Sequence, residues 1–408
     1  MNDAASCGLR DHRATAIVRL KPGKEKAFFA RHPWVRHTAI ASIEGDPQDG
    51  AVVDLVSSKD RFVGRGIFNS KSRLRVRLYA WNPDEPLDDV FWRRRVENAL
   101  RLRDDLGWSD GEQACRLIYS ESDGLSGLVL DRYAGHLVMQ INALGMQVRL
   151  PIFVALLAEM LRPKSILVRS EVGTERVEGI EPRQECAWGR APDGPVFVVE
   201  HGLRYGVDLI SGQKTGFYLD QRENRRAAAA YVRGRRVLDL FCYCGGFSLC
   251  ASRLGGAREV LGIDSSERAI TWARANAELN AVGNVRFQAM SVFKALDSLV
   301  LAEERFGAVI LDPPKFAKSR FQVERALGAY HRINRLAVQL LQPGGILVTS
   351  SCSGSVTGEE FLAMLSGVAQ KAGREIQVLE QRGAAADHPV SLSCPQTSYL
   401  KCLVCRVV

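Results

Sequence analysis

No stretch of about 18 apolar residues occurs in this chain, which excludes a membrane-spanning helix. The first thirty residues alternate charge with short apolar runs and lack the apolar core of a secretory signal, so the cytoplasm is the expected location. There is no GxGxxG turn and no Walker lysine, which removes the usual support for a dinucleotide or nucleoside-triphosphate site. The ten cysteines, at positions 7, 115, 186, 242, 244, 250, 352, 394, 402 and 405, are scattered, so a disulfide framework is not expected. One pair, Cys402 and Cys405, has CxxC spacing. No second CxxC accompanies it and it lies in an apolar terminal run, so it reads as core packing and no metal is expected. Internal repeats and low-complexity tracts are absent as well.

What is present suits a globular protein. The 408 residues are enough for two or three domains, and 46% hydrophobic with 25% charged residues are ordinary values for packed cores. The net charge is +9, which suits a polyanionic partner. Its distribution says more: residues 61–83 carry six basic residues and no acid. Within RLRVRLYAW, Arg73, Arg75 and Arg77 alternate with Leu and Val, and a period of two places them on one strand face. Such a face is often merely solvated; the absence of acid over this length favours nucleic acid.

Three regions are expected. Residues 1–12 read as a loose leader. Residues 13–85 form a small β-rich domain of short strands and glycine turns, with one helical candidate around KEKAFFARH (24–32). Residues 86–196 form an α+β module followed by a linker. Its helix over 88–106 would turn Val90, Phe91, Val96, Leu100 and Leu102 to one side. A hairpin over 115–142, a helix at 148–161 and a strand at 165–170 follow, and the charged, Gly- and Pro-rich residues 171–196 read as linker. From 197 to 408, apolar strands alternate with helices, which predicts a doubly wound α/β sheet.

The chemistry sits at the strand ends of this last region. The first strand runs into LDLFCYCGGFSL (238–249), where Gly245 and Gly246 open a helix and allow a ligand close to the backbone. The second ends in Asp264, nineteen residues after Gly245, a spacing suited to ribose hydroxyls; the plainer reading is a helix cap. The fourth ends in LDPPKF (311–316). Pro313 and Pro314 stiffen the turn and hold Asp312 at the sheet's carboxyl edge, and Phe316 could stack on a planar base. The last, ILVTSS (346–351), leads into Cys352 among small hydroxyl residues. A random cysteine is usually an inert core thiol. A thiol just past a strand end, facing LDPPKF, is better read as a nucleophile.

KTGFYLDQREN (214–224), LDLFCYCGGF, LDPPKF and SSCSG, in this order, resemble the bacterial large-subunit (23S) rRNA cytosine-5 methyltransferase family of the RlmI type. RHPWV (31–35) resembles its N-terminal PUA-type RNA-binding domain, ESDGLSGLVLDRY (121–133) its central module, and ADHPV (386–390) its C-terminal motif, so the resemblance covers nearly the whole chain. It implies a Rossmann-like class I methyltransferase domain with S-adenosyl-L-methionine as cofactor and large-subunit rRNA as partner. KTGFYLDQ would form a β-hairpin placing Phe217, Tyr218 and Asp220 beside the cofactor. Phe241, Gly245 and Gly246 would wrap the methionine portion, Asp264 with Ser265 would hold the ribose, and Ser291 would meet the adenine amine. Asp312 and Cys352 would face the cytosine, with Pro313, Pro314 and Phe316 around it. Two departures stand out. Lys315-Phe316 occupies the place where many RNA cytosine-5 methyltransferases carry a second cysteine, and Met290-Ser291 replaces an acid near adenine.

Two other readings compete: a guanine- or adenine-nitrogen methyltransferase on the same fold, which needs no thiol, and a non-catalytic RNA-binding assembly factor. A homodimer is compatible with the sequence, and no feature argues for it.

Overall fold

Apolar residues at every second position, then at every third or fourth, divide the chain into sheets and covering helices. The computed structural model describes residues 14–108, 111–170, 173–210, 216–317 and 319–408. The leader at 1–12, and Lys214 and Thr215 of the expected hairpin, lie outside them. The chain forms two compact units. One gathers Met1–Val196, Asp208–Phe217 and Asp387–Thr397; the other gathers Phe197–Val207, Tyr218–Ala386 and Ser398–Val408. No helix of the described residues is long and apolar enough to cross a membrane.

The first unit holds two sheets. Strands β1 (Ala16–Leu20), β2 (Trp34–Arg36), β3 (Ile40–Glu44), β4 (Val52–Val56), β5 (Phe62–Phe68) and β6 (Leu74–Ala80) form one, in the order β2-β6-β5-β4-β1-β3. Val18, Leu20, Val35, Leu55 and Val76 are its fully buried core. The second contains β7 (Cys115–Tyr119), β8 (Leu128–Tyr133), β9 (His136–Ile141), β10 (Ser165–Ser170) and β11 (Gln184–Gly189), in the order β11-β10-β9-β8-β7. Helix Asp89–Asp105 starts where the Asp88 carboxylate accepts the Phe91 N–H at 2.8 Å. It buries Phe91, Trp92, Val96, Ala99 and Arg103, whereas Val90 is 71% exposed, so the expected stripe is turned by one residue at its start.

Strand β11 corrects the linker expected over 171–196. It pairs antiparallel with β10 at the sheet edge, and five of its six residues are exposed, so it carries no apolar alternation to betray it. The motif ADHPV also finds its place here. Asp387 is buried; its carboxylate accepts the Arg116 N–H at 3.0 Å, and its carbonyl accepts from Arg103 at 2.7 Å. Arg103, itself paired with Asp123, thereby clasps the returning chain.

The second unit opens with β12 (Val196–Glu200, shared at its first residue) and β13 (Leu203–Val207) as a two-stranded sheet. Its main sheet contains β14 (Arg236–Leu240), β15 (Glu259–Asp264), β16 (Val285–Ala289), β17 (Phe306–Leu311), β18 (Leu341–Ser351), β19 (Ile376–Arg382) and β20 (Lys401–Val407). The order is β16-β15-β14-β17-β18-β20-β19, with β20 antiparallel to both neighbours. Chain order reverses between β14 and β17, the switch point at which open α/β sheets bind ligands. Both faces are covered: Leu238, Leu240, Leu347 and Cys405 pack on one side, Val237, Val260, Val348 and Cys402 on the other. Cys402 and Cys405 are therefore core residues of opposite faces, and burial pushes both thiols up to about 12.

Candidate active site

Register brings the expected motifs to one edge of the second unit. Leu240 of β14 is opposite Ile263 of β15 and Leu311 of β17, so Phe241, Asp264 and Asp312 emerge together. After β14 the backbone passes through positive φ at Phe241 (65°), Tyr243 (48°) and Gly245 (87°). Each side-chain-bearing residue held there costs on the order of 1–3 kcal/mol. Hydrogen bonds enforce the turn: the N–H groups of Phe241 and Cys242 donate to the Ile263 carbonyl at 2.9 and 3.1 Å, and that of Tyr243 to Asp264 Oδ2 at 3.0 Å. A Cβ on Gly245 would come within 2.9 Å of the Phe287 ring, and one on Gly246 within 2.9 Å of the Arg225 side chain. Gly245, at positive φ, therefore requires glycine, whereas a side chain at Gly246 would have to displace Arg225.

Asp264 has a wider role than a helix cap. Its Oδ1 accepts the Ser266 N–H at 2.9 Å, and Ser266, not Asp264, caps the helix Glu267–Leu279. Ser265 is exposed beside it. A third acid, Asp239, lies inside LDLFCYCGG with no local signal of its own. It is fully buried, accepts from the Ser248 hydroxyl at 2.6 Å, and its Oδ1 meets no donor among the described residues. Burial, with Asp312 and Asp264 adding to it, pushes this carboxyl up to about 7. Three acids at one sheet edge suit a positively charged ligand and repel an anionic one. The glycine turn, the unpartnered Asp239 oxygen and this acidity fit S-adenosylmethionine, whose sulfonium and ammonium are cationic. Ser291 precedes the helix Val292–Leu301 and its hydroxyl makes no capping bond; Met290 is partly buried in the core. No cluster of His, Cys, Asp or Glu that could hold a metal occurs among the described residues.

The segment 216–221 forms no strand; it ends in a short 3-10 turn, Leu219–Gln221. Phe217 is buried, and its N–H donates to the Tyr133 hydroxyl at 3.1 Å within the first unit. In the second unit, Tyr218 packs edge-on against Tyr243 with ring centres 5.2 Å apart. Burial and Asp312 raise its phenol. The buried Asp220 carboxylate accepts from the Tyr399 hydroxyl, so part of its hydrogen-bonding capacity serves the fold.

Cys352 is half-buried, and its thiol donates to the Pro313 carbonyl at 3.7 Å, which brings it against the Asp-Pro-Pro turn. The flanking Ser351 and Ser353 are fully buried, and their hydroxyls each lie 3.0 Å from the Tyr330 hydroxyl. Ser353 Oγ also accepts the Ala317 N–H at 3.1 Å, tying the two loops together. Burial pushes the thiols of Cys244, Cys250 and Cys394 up to about 12, which makes them poor nucleophiles. Pro313 is buried and Pro314 exposed. The Phe316 ring lies 4.8 Å from that of Tyr330 and packs partly into the core, so one of its faces already serves the fold.

Asp312 accepts from Gln221 Nε2 at 2.7 Å. Asn224 Nδ2 donates to Gln221 Oε1 at 2.6 Å, and Arg382 donates to Asn224 Oδ1 at 3.0 Å. This chain of bonds orients the Asp312 carboxylate. Gln221 and Asn224 stood in the quoted KTGFYLDQREN; Tyr330 and Arg382 carried no local signal.

In the first unit, the arginine face is corrected. Arg77 is 11% exposed and donates to Glu178 Oε1 at 2.8 Å and Ser126 Oγ at 3.1 Å, with Glu121 at 3.4 Å. Burial pushes its guanidinium down, but the Glu178 and Glu121 carboxylates outweigh that and hold it above its usual value. Arg75 is half-buried and turned onto the Ser70 carbonyl; Arg73 is exposed.

Residues 177–391 match the family model of S-adenosylmethionine-dependent methyltransferases, and residues 18–81 match that of a PUA-like domain. A ribosomal RNA large subunit methyltransferase I from Erwinia tasmaniensis is 40% identical over 396 residues, covering 97% of this chain and 100% of that protein. A protein of the same name from Aeromonas hydrophila is 40% identical over 395 residues, 96% of this chain and 99% of the other. Among solved structures, a Streptococcus mutans protein assigned to the SAM-dependent methyltransferases superposes with TM-score 0.82 at 20% identity, covering 96% of this chain and 99% of that one. A methyltransferase crystallised with SAH gives 0.82 at 21% identity, over 97% and 100%. These two likenesses speak for the fold.

Proposed function

The chain belongs to the ribosomal RNA large subunit methyltransferase I family of S-adenosylmethionine-dependent methyltransferases, and on that premise we propose that it methylates C5 of a cytosine in large-subunit (23S) rRNA, with Cys352 as nucleophile. The observation that carries the reading is the Cys352 thiol seated against the Pro313 carbonyl, beside Asp312. Cytosine C5 is too weakly nucleophilic to take a methyl group directly. Addition of the Cys352 thiolate at C6 moves an electron pair to C5 and makes it enamine-like. Asp312, oriented by Gln221, accepts hydrogen bonds from the base edge and opposes the loss of its orientation. S-adenosylmethionine would be held by the Gly245–Gly246 turn and Asp264 and would supply the electrophilic methyl, its sulfonium–methyl bond breaking as the C5–methyl bond forms and S-adenosylhomocysteine leaving. A general base or water then takes the C5 proton, and the freed electron pair re-forms the C5–C6 double bond and expels the Cys352 sulfur from C6 as a thiolate. The target base must be unstacked to reach the sheet edge. The PUA-like domain would hold flanking RNA, with exposed Arg73 available to phosphate.

The test is methyl transfer from labelled S-adenosylmethionine to deproteinised large-subunit rRNA lacking this modification, followed by digestion to nucleosides. Label should appear in 5-methylcytidine, and Cys352→Ala should lower the rate by more than about 1,000-fold. Label in a methylated purine that survives the substitution would replace this reading with nitrogen methylation.

A further inference from the structure

Lys401 lies on β20 directly opposite Ser351, the residue before Cys352. Its ammonium donates to three backbone carbonyls: Ser353 at 2.8 Å, Val356 at 2.7 Å and Tyr399 at 2.8 Å. An ammonium has three donors, so all are used. Two of the carbonyls belong to the loop that leaves Cys352. Tyr330 fixes the same loop from another side through Ser351 and Ser353. The cation is thus held in place by neutral groups, beside a thiol that must ionise to react.

We propose that Lys401 is the positioning residue for Cys352: it clamps the loop that presents the sulfur, and its positive charge favours the thiolate. This rests on Cys352 being the nucleophile. The neutral thiol donates to the Pro313 carbonyl; once ionised, the sulfur faces that oxygen, which disfavours the thiolate. A nearby cation offsets this, as at other reactive cysteines. The remaining charged and titratable groups around the pair do not replace it. Lys315 is exposed, Glu360 is paired with Arg320, Tyr218 and Tyr330 are neutral with raised phenols, and Asp312 is an acid. Burial pushes the Lys401 ammonium down to about 8, with Cys352 pulling it back up, so it is mostly charged at neutral pH. With no proton donor spare and no carboxylate on it, Lys401 acts as a charge and a clamp rather than as a proton carrier.

The test follows alkylation of Cys352 by iodoacetamide against pH, with peptide mapping to separate it from the other cysteines. In the wild type the midpoint should lie below the ordinary thiol value of about 8.5. Lys401→Met should raise it by about one pH unit and lower kcat at pH 7 roughly tenfold, with recovery as pH rises and KM for S-adenosylmethionine within about twofold. Lys401→Arg, which keeps the charge, should hold the midpoint near that of the wild type. An unchanged midpoint in a folded Lys401→Met protein would overturn the electrostatic role. If that variant does not fold, a wild-type midpoint at or above the ordinary value overturns it independently. Methyl transfer that persists in Cys352→Ala would instead refute the nucleophile on which the proposal rests.

Discussion

Two half-buried cations in this chain keep opposite company. Arg77, on β6, meets the carboxylates of Glu178 and Glu121, so its charge is cancelled inside its own domain. Lys401, on β20, meets three neutral carbonyls, so its charge stays uncancelled next to Cys352. The difference teaches how to sort basic residues in such a protein. What decides whether a cation serves the fold or the chemistry is the charge of its partners, more than its depth or the strand that carries it. Arg77 looked like part of an RNA-binding face because alternation reports a shared side of a strand, and nothing in alternation reports which acids lie across from it.

The contrast can be broken by experiment. The largest effect after loss of Cys352 should come from Arg77→Met, which leaves the buried Glu178 and the half-buried Glu121 without their cation. A loss of about 3–5 kcal/mol in unfolding free energy is expected. Denaturant titration measures it, and a loss under about 1 kcal/mol would mean that Arg77 is not an internal partner. Next is Gln221→Ala, which removes the donor to Asp312 without touching Cys352. A charge-assisted bond of about 1.5–2 kcal/mol translates into a roughly 10- to 30-fold lower kcat, with cysteine alkylation unaltered. An altered alkylation midpoint would show that Gln221 supports the thiol as well. The smallest effect should follow Arg73→Gln. RNA affinity should fall a few-fold, with the salt dependence shallower by about one counterion or less and stability unchanged. No change in the salt slope would remove β6 from the RNA surface altogether.

Much of the second unit was legible in order. The alternation from residue 197 onward, the glycine turn after LDLF, Asp264 at the second strand tip, and Asp-Pro-Pro at the fourth are local signals written in consecutive residues. The structure gathers the corresponding side chains at one sheet edge because the parallel register aligns the strand ends. What was not legible left no signal in consecutive residues. β11 is an exposed edge strand without alternation. The links Gln221–Asp312, Arg382–Asn224 and Lys401–Ser353 join residues far apart in the chain. Phe316 offered a free ring in the sequence, and only the helix Val323–Leu340 places Tyr330 against it.

The sequence by itself determined the class of fold, the cofactor expected at the switch point and the thiol at the end of β18. These depend on periodicity and on short turns, which local sterics and hydrophobic burial dictate. Tertiary structure alone decided which cations remain uncancelled, which acids lie together and what holds Cys352 in place. Those properties depend on antiparallel register and on pairs of groups meeting at a low local dielectric, where a partner's charge outweighs the residue's own identity.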